Sequence, residues 1–273
     1  MRLRCFILLC IALLAGCSHK VLPPSDSVIL SEAKDLYAAL DAKLDEYAAA
    51  MEILPAEEKS AECDFIIGMV SDSVIRNHVA EHLYNRYMNS SLMGDEAVAI
   101  YLTDNWFTPG KVSFKEPADL FAAKLFADFN RQSLLGKEAP AMTAFNPEGE
   151  PEEVLPRDGR LKVLFIYDTS CATCKFQSAL LEEFFSDYKG QEFDFIAFYA
   201  GSDSAAWQLW RETHFKSLPA GSPVRVRDYW DPEVESDFQR KYGVLSTPRI
   251  FLIDENGVII GRRLDCAALR QLL

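Results

Sequence analysis

Residues 161–188 of this 273-residue chain read LKVLFIYDTSCATCKFQSALLEEFFSDY, and this stretch constrains the fold most. A nearly continuous apolar run is the signature of a strand covered on both faces, and the amphipathic run after it is a helix. Two cysteines, three apart, sit where the strand gives way to the helix. A strand feeding straight into a helix belongs to an α/β sheet. The following sequence continues the alternation. FDFIAFY (193–199) predicts a second strand, DSAAWQLWRETHF a second helix and PVRVRDY a weaker third strand. DPEVESDFQRKYG predicts a helix that starts at Pro232 and closes at Gly243. RIFLIDENGVIIGR (249–262) is a hairpin around Glu255-Asn256-Gly257, and DCAALRQLL a short last helix. Upstream, Met142 to Phe145 and Glu153 to Leu155 form a hairpin about a turn at Asn146 to Gly149. The expectation is a central mixed sheet covered by helices, over residues 136–273.

Residues 30–135 have a different texture. Leu36, Leu40, Leu44 and Tyr47 recur at helical spacing, with Ser31 as the expected N-cap and Pro55 ending the run. SDSVIRNHVAEHLYNRYM, GDEAVAIYLTDNWF and PADLFAAKLFADFNRQSLL predict further helices, the last with Pro117 at its start. No two-residue alternation occurs here, so an all-α region precedes the sheet. His78 and His82 stand at i and i+4, a spacing that can hold a metal on one helical face. The glutamate of an H-E-x-x-H motif and a third ligand are missing, so no metal site is expected.

The first residues, MRLRCFILLCIALLAGCSHK, pair a basic start (Arg2, Arg4) with a short apolar stretch from Cys5 to Ala15. That is an export signal, too short to span a bilayer stably. It ends in Leu14-Ala15-Gly16-Cys17, which resembles the bacterial lipobox, and the resemblance implies cleavage after residue 16 and acylation of Cys17. Several acyl chains on one residue make a stable membrane anchor. Residues 17–29, with Pro23 and Pro24, read as a tether. A formal net charge of −13 with scattered acids makes nucleic acid a poor partner. Once Cys5, Cys10 and Cys17 are set aside, four thiols remain, Cys63, Cys171, Cys174 and Cys266, in a compartment that permits disulfides.

Cys171 and Cys174 begin the helix after the first central strand. Free N–H groups and the helix dipole there favour a thiolate. Cys171 is the exposed member and the expected nucleophile; Cys174, one turn inside, is the resolving thiol, and Lys175 adds a nearby positive charge. Zinc needs two more ligands, and neither a second Cys-x-x-Cys nor a Cys-His pair exists. A structural staple this short constrains almost nothing. Farther along, YGVLSTPRIFLID puts Pro248 just before an apolar strand. A cis Thr247–Pro248 bond fits, because it turns the chain and offers open backbone to an extended substrate; the alternative is an edge-strand proline in trans. Cys63 and Cys266 lie among apolar neighbours on expected helices, as inert buried thiols or as a disulfide joining the two halves.

GKEAPAM, VLFIYDTSCATCK and YGVLSTPRIFLIDENGVI, in this order, resemble the thioredoxin superfamily, in particular its TlpA/ResA-like envelope branch. The helical half is similar to a domain of unknown activity fused before thioredoxin-like domains in envelope lipoproteins of Gram-negative anaerobes. The resemblance implies a thioredoxin-like fold preceded by a helical domain. The implied activity is dithiol–disulfide exchange without a cofactor, reducing disulfides in exported proteins. The partners would be protein or peptide disulfides, a membrane electron donor of the thiol–disulfide type and the lipid membrane itself. The setting would be the periplasmic side of the envelope, with Ser18 pointing to the outer membrane. Departures are clear: Ser170 replaces the usual Trp before the first cysteine, Ala172-Thr173 replaces Gly-Pro, and Phe165 stands where thioredoxin keeps a buried Asp. Asp168 is either a proton acceptor or a solvated carboxylate that raises the thiol pKa. A peroxiredoxin is disfavoured, since Thr169 is two residues, not three, before Cys171. Two rival readings are a non-catalytic thioredoxin-fold binding lipoprotein and a copper-handling protein using both cysteines with His214.

Overall fold

The computed structural model describes the backbone of residues 26–216 and 218–273, with side chains from Lys34 onward. The expected signal (1–16), Cys17 and the tether up to residue 25 lie outside the described residues, and residues 26–29, expected as tether, are helical. The chain forms two compact units, one ending at Tyr47 and the other running Ala48–Leu273.

The first helix, α1 (Asp26–Ala50), is already helical at Asp26, so Ser31 lies inside it and is not its cap. Along the apolar stripe Leu36 is exposed, whereas Leu44 and Tyr47 are buried. No helix among the described residues is long and apolar enough to cross a membrane.

In the second unit, α2 (Ala56–Met69), α3 (Ser73–Met88), α4 (Glu96–Leu102) and α5 (Pro117–Asn130) pack around Cys63, Ile66, Ile67, Val79, Leu83, Val98 and Leu102. Asp72 caps α3 by accepting from the N–H groups of Val74 and Ile75. A π-helical turn, Thr103–Phe107, follows α4; there Asp64 accepts from Tyr101 Oη and Trp106 Nε1. Phe107 stacks on Phe114, with centroids 3.8 Å apart.

The sheet has the order β2-β1-β5-β4-β3-β6-β7. Its strands are β1 (Thr143–Phe145), β2 (Pro151–Glu153), β3 (Leu161–Tyr167), β4 (Phe193–Tyr199), β5 (Val224–Trp230), β6 (Arg249–Ile253) and β7 (Ile259–Gly261). The central β3, β4 and β5 are parallel; β6 and β7 add antiparallel on one side, and β1 and β2 on the other. Helices α6 (Ala172–Asp187), α7 (Ser204–Thr213) and α9 (Cys266–Leu272) cover one face through Leu181, Phe185, Trp207, Trp210 and Leu269. The other face packs Leu164, Ile166, Ile196, Phe198 and Phe251 against Met142, Phe238 and Tyr242. Burial on both faces explains why every residue of β3 and β4 is buried.

One expected helix is mostly absent. Of the stretch from Pro232 to Gly243, only α8 (Phe238–Lys241) is helical. The Asp231 carboxylate accepts from Glu235 N–H and Ser236 N–H, closing turns that compete with a helix. Val234 and Asp237 take positive φ values of 59° and 56°, which break the helical path. Gly243, at φ 62°, seats this segment on α5: a Cβ there would stand 2.5 Å from Asn130 Oδ1 and 3.2 Å from the Phe129 carbonyl.

Candidate functional site

The site forms where β3 ends and α6 begins. Cys171 is the N-cap of α6 with an extended backbone, so its side chain turns back over the free N–H groups of the first turn. Its Sγ accepts from Cys174 N–H at 3.1 Å, and its thiol donates to the Thr247 carbonyl at 3.3 Å. The Thr247–Pro248 peptide bond is cis. The two motifs of the sequence therefore meet at one sulfur.

The two thiols have opposite environments. Cys171 is partly exposed, whereas Cys174 is buried at 1 % exposure against Phe165, Tyr167 and Leu181. Burial pushes the Cys171 pKa up. Hydrogen bonds from the Cys174 side chain and N–H, the Thr247 side chain and the Thr173 N–H outweigh it, so the net shift is downward. Cys174 goes the other way. Burial first, then its hydrogen bond to Cys171 and that sulfur's charge, raise it to about 12, against lowering by the Asp168 N–H and the Thr247 side chain. Environments that push two thiol pKa values apart divide the roles of attacking and resolving sulfur.

The Asp168 carboxylate accepts from Ser170 N–H at 2.7 Å and Ser170 Oγ at 2.5 Å, so it shapes the loop. Its contribution to the thiols comes through its backbone N–H on Cys174. That donor and the Thr247 carbonyl are main-chain groups, which no residue pattern could flag. Lys175 is exposed on α6. Phe176 and Leu245, each close in sequence to one motif, leave large apolar side chains exposed. Asp228 on β5 also escaped the sequence reading. It is half-buried with Arg211 Nε 3.9 Å away, one of its oxygens is shielded without a hydrogen-bond partner, and desolvation raises its pKa to about 6.

Cys63 and Cys266 are free, buried thiols, with no disulfide joining them. Burial raises both, Cys63 to about 12. Cys266 begins α9, where its N–H donates to Gln177 Oε1 of α6. His78 and His82 are half-buried with ring centroids 6.4 Å apart. Among the described residues no group of three or more His, Cys, Asp or Glu side chains is placed to hold a metal.

A mixed sheet with a cis-proline strand set against a dithiol at a helix start defines a protein of the thioredoxin-like class. Comparison with known proteins agrees. Residues 134–265 match the Redoxin family model. The thiol-disulfide oxidoreductases ResA of Bacillus thuringiensis and Bacillus cereus are each 26% identical over 126 residues, covering 46% of this chain and 67% of theirs. A thioredoxin-like protein from Bacteroides caccae superposes with a TM-score of 0.61 over 94% of this chain and 98% of its own, at 12% identity. That likeness shows the fold, helical region included. The carboxy-terminal half thus matches the Redoxin family model and is similar to thiol–disulfide oxidoreductases.

Proposed function

We propose that this chain is a lipid-anchored thiol–disulfide oxidoreductase on the periplasmic side of a Gram-negative envelope, held in the outer membrane by acylated Cys17. Residues 17–25 are its tether, 26–135 a helical region and 136–273 the redox domain. One observation carries the reading: a partly exposed Cys171 with a lowered pKa faces the Thr247 carbonyl beside Pro248, with a buried thiol of raised pKa one turn behind.

In the reducing direction, the Cys171 thiolate attacks one sulfur of a substrate disulfide. The substrate S–S bond breaks, a mixed disulfide forms, and the other substrate sulfur leaves as a thiolate. Cys174 then gives up its proton and attacks Cys171 Sγ. The second substrate thiolate leaves and the Cys171–Cys174 disulfide remains. Two electrons pass from the dithiol to the substrate, and a membrane donor of the thiol–disulfide type restores the dithiol. Thr247 and Pro248 shape the groove in which an extended protein substrate lies.

The test is trapping. With Cys174→Ser the second step is lost, so cells should accumulate covalent adducts on Cys171 that a reductant releases. Cys171→Ser should trap nothing. Equal trapping by both variants, or none with Cys174→Ser while the unaltered protein reduces no disulfide, defeats the reading.

A further inference from the structure

Tyr167 ends β3 and Cys171 caps α6, so Asp168, Thr169 and Ser170 make the connection between them. These residues form a closed turn, in which Cys171 N–H donates to the Asp168 carbonyl at 3.2 Å. The half-buried Asp168 side chain closes a second ring inside the first. Its Oδ1 accepts from Ser170 N–H at 2.7 Å and from Ser170 Oγ at 2.5 Å. Aspartate suits the opening position of such a turn because its side chain copies a backbone acceptor. Thr169 Oγ1 lies 3.4 Å from Tyr199 Oη, which ties the middle of the turn to β4. Cys171 leaves the turn with φ −78° and ψ 116°, and its carbonyl accepts from Lys175 N–H, the first bond of α6.

That extended backbone decides where the sulfur goes. With it, Cys171 Sγ lies 3.1 Å from Cys174 N–H and 3.3 Å from the Thr247 carbonyl oxygen. A helical ψ of about −42° would let α6 run back through Cys171 and take the sulfur off both groups. The ring between Asp168 and Ser170 holds the chain in the turn and against that extension. The negative charge of Asp168 works against a thiolate beside it. What the carboxylate offers the site is an acceptor oxygen.

We propose that Asp168 is a positioning residue for the exchange reaction: its Oδ1, bound to Ser170, holds the turn that delivers Cys171 Sγ to the start of α6 and to the Thr247 carbonyl. The proposal rests on the dithiol reading above and assigns a residue to that same site. Asp168 acts through Ser170 and Cys171, and neither takes the proton of Cys174 nor pairs with a charge.

The experiment compares the full chain, reduced beforehand, with Asp168→Asn, Asp168→Ala and Asp168→Glu. Asn keeps an oxygen in the same place and drops the charge. Glu keeps the charge and the proton affinity but sets its oxygens one methylene too far for the ring. The readout is the pH midpoint of Cys171 alkylation, with the buried Cys63 and Cys266 unmodified as the sign of a folded chain. Ala and Asn differ in the acceptor and not in charge, so the Ala midpoint should lie about one pH unit above that of Asn. Glu should side with Ala. Below these midpoints both should reduce a peptide disulfide about threefold more slowly than Asn in single turnover, because a tenfold loss of thiolate is partly offset by its greater nucleophilicity. A proton acceptor or a charge partner gives the crossed pattern, with Glu like the unaltered protein and Asn like Ala. That pattern, or equal midpoints for Ala and Asn, overturns the inference while leaving the dithiol chemistry intact. If the unaltered protein reduces no peptide disulfide, the dithiol reading itself fails and this inference falls with it.

Discussion

Replacing Arg262 by Met tests how the hairpin that carries β6 is held to the helices. Arg262 is 2 % exposed and Glu96 fully buried. The guanidinium donates to the Ser133 carbonyl and to Asn130 Oδ1, each at 2.8 Å. Its Nε lies 2.9 Å from Glu96 Oε1 without the alignment of a hydrogen bond, so that attraction is ionic. Once Arg262 is gone, Glu96 keeps only the Gly94 N–H at 3.2 Å and Arg263 at 3.9 Å, which is too little for a carboxylate out of water. Breaking one side of such a pair costs about 3–5 kcal/mol, a large fraction of the roughly 5–15 kcal/mol that holds a domain folded. Urea unfolding of Arg262→Met should show that loss. Adding Glu96→Gln should restore most of it, because the stranded charge disappears. A loss under about 1 kcal/mol, or no recovery in the double variant, refutes the reasoning.

Other outcomes follow from the same physics. Asp228 has a folded pKa of about 6, above its ordinary 3.8, so the folded state holds its proton more tightly than the unfolded state. Its contribution is therefore favourable at low pH and is lost as pH rises between those values, by about 3 kcal/mol. Asp228→Asn should accordingly raise stability at pH 7.5 and flatten the pH profile across that window, as urea titrations at several pH values will record. Gly243→Ala should destabilise by about 2 kcal/mol or more, since φ is 62° and the new methyl meets the Asn130 side chain and Phe129 carbonyl. Cys63, buried and raised to about 12, should resist alkylation at neutral pH until urea unfolds the protein.

The legible parts of the sequence were those whose burial is one-dimensional. β3 and β4 run over 161–167 and 193–199 as read, because strands covered on both faces leave unbroken apolar runs. The stretch from Pro232 to Gly243 misled because its helical spacing says nothing of the Asp231 side chain, which diverts two N–H groups into turns. Ser31 misled because a good capping residue also fits inside a helix. At the candidate site, the cysteines and Pro248 were visible as residue types. The Thr247 carbonyl and Asp168 N–H were not, since every residue carries such groups and only the fold aims them. Asp228 looked like one more charge in a strand rich in arginine, and the pairing of Glu96 with Arg262 joins segments far apart in the chain. Long-range ion pairs leave no local period to read.

The account depends most on the unequal acidity of the two neighbouring thiols, and alkylation kinetics measure it directly. Iodoacetamide, followed residue by residue by mass spectrometry between pH 4 and 10, should modify Cys171 with a midpoint below that of the same residue in the urea-unfolded chain. Cys174 should stay unmodified throughout the neutral range. A Cys171 midpoint that urea does not move, or a Cys174 that reacts first, contradicts the account.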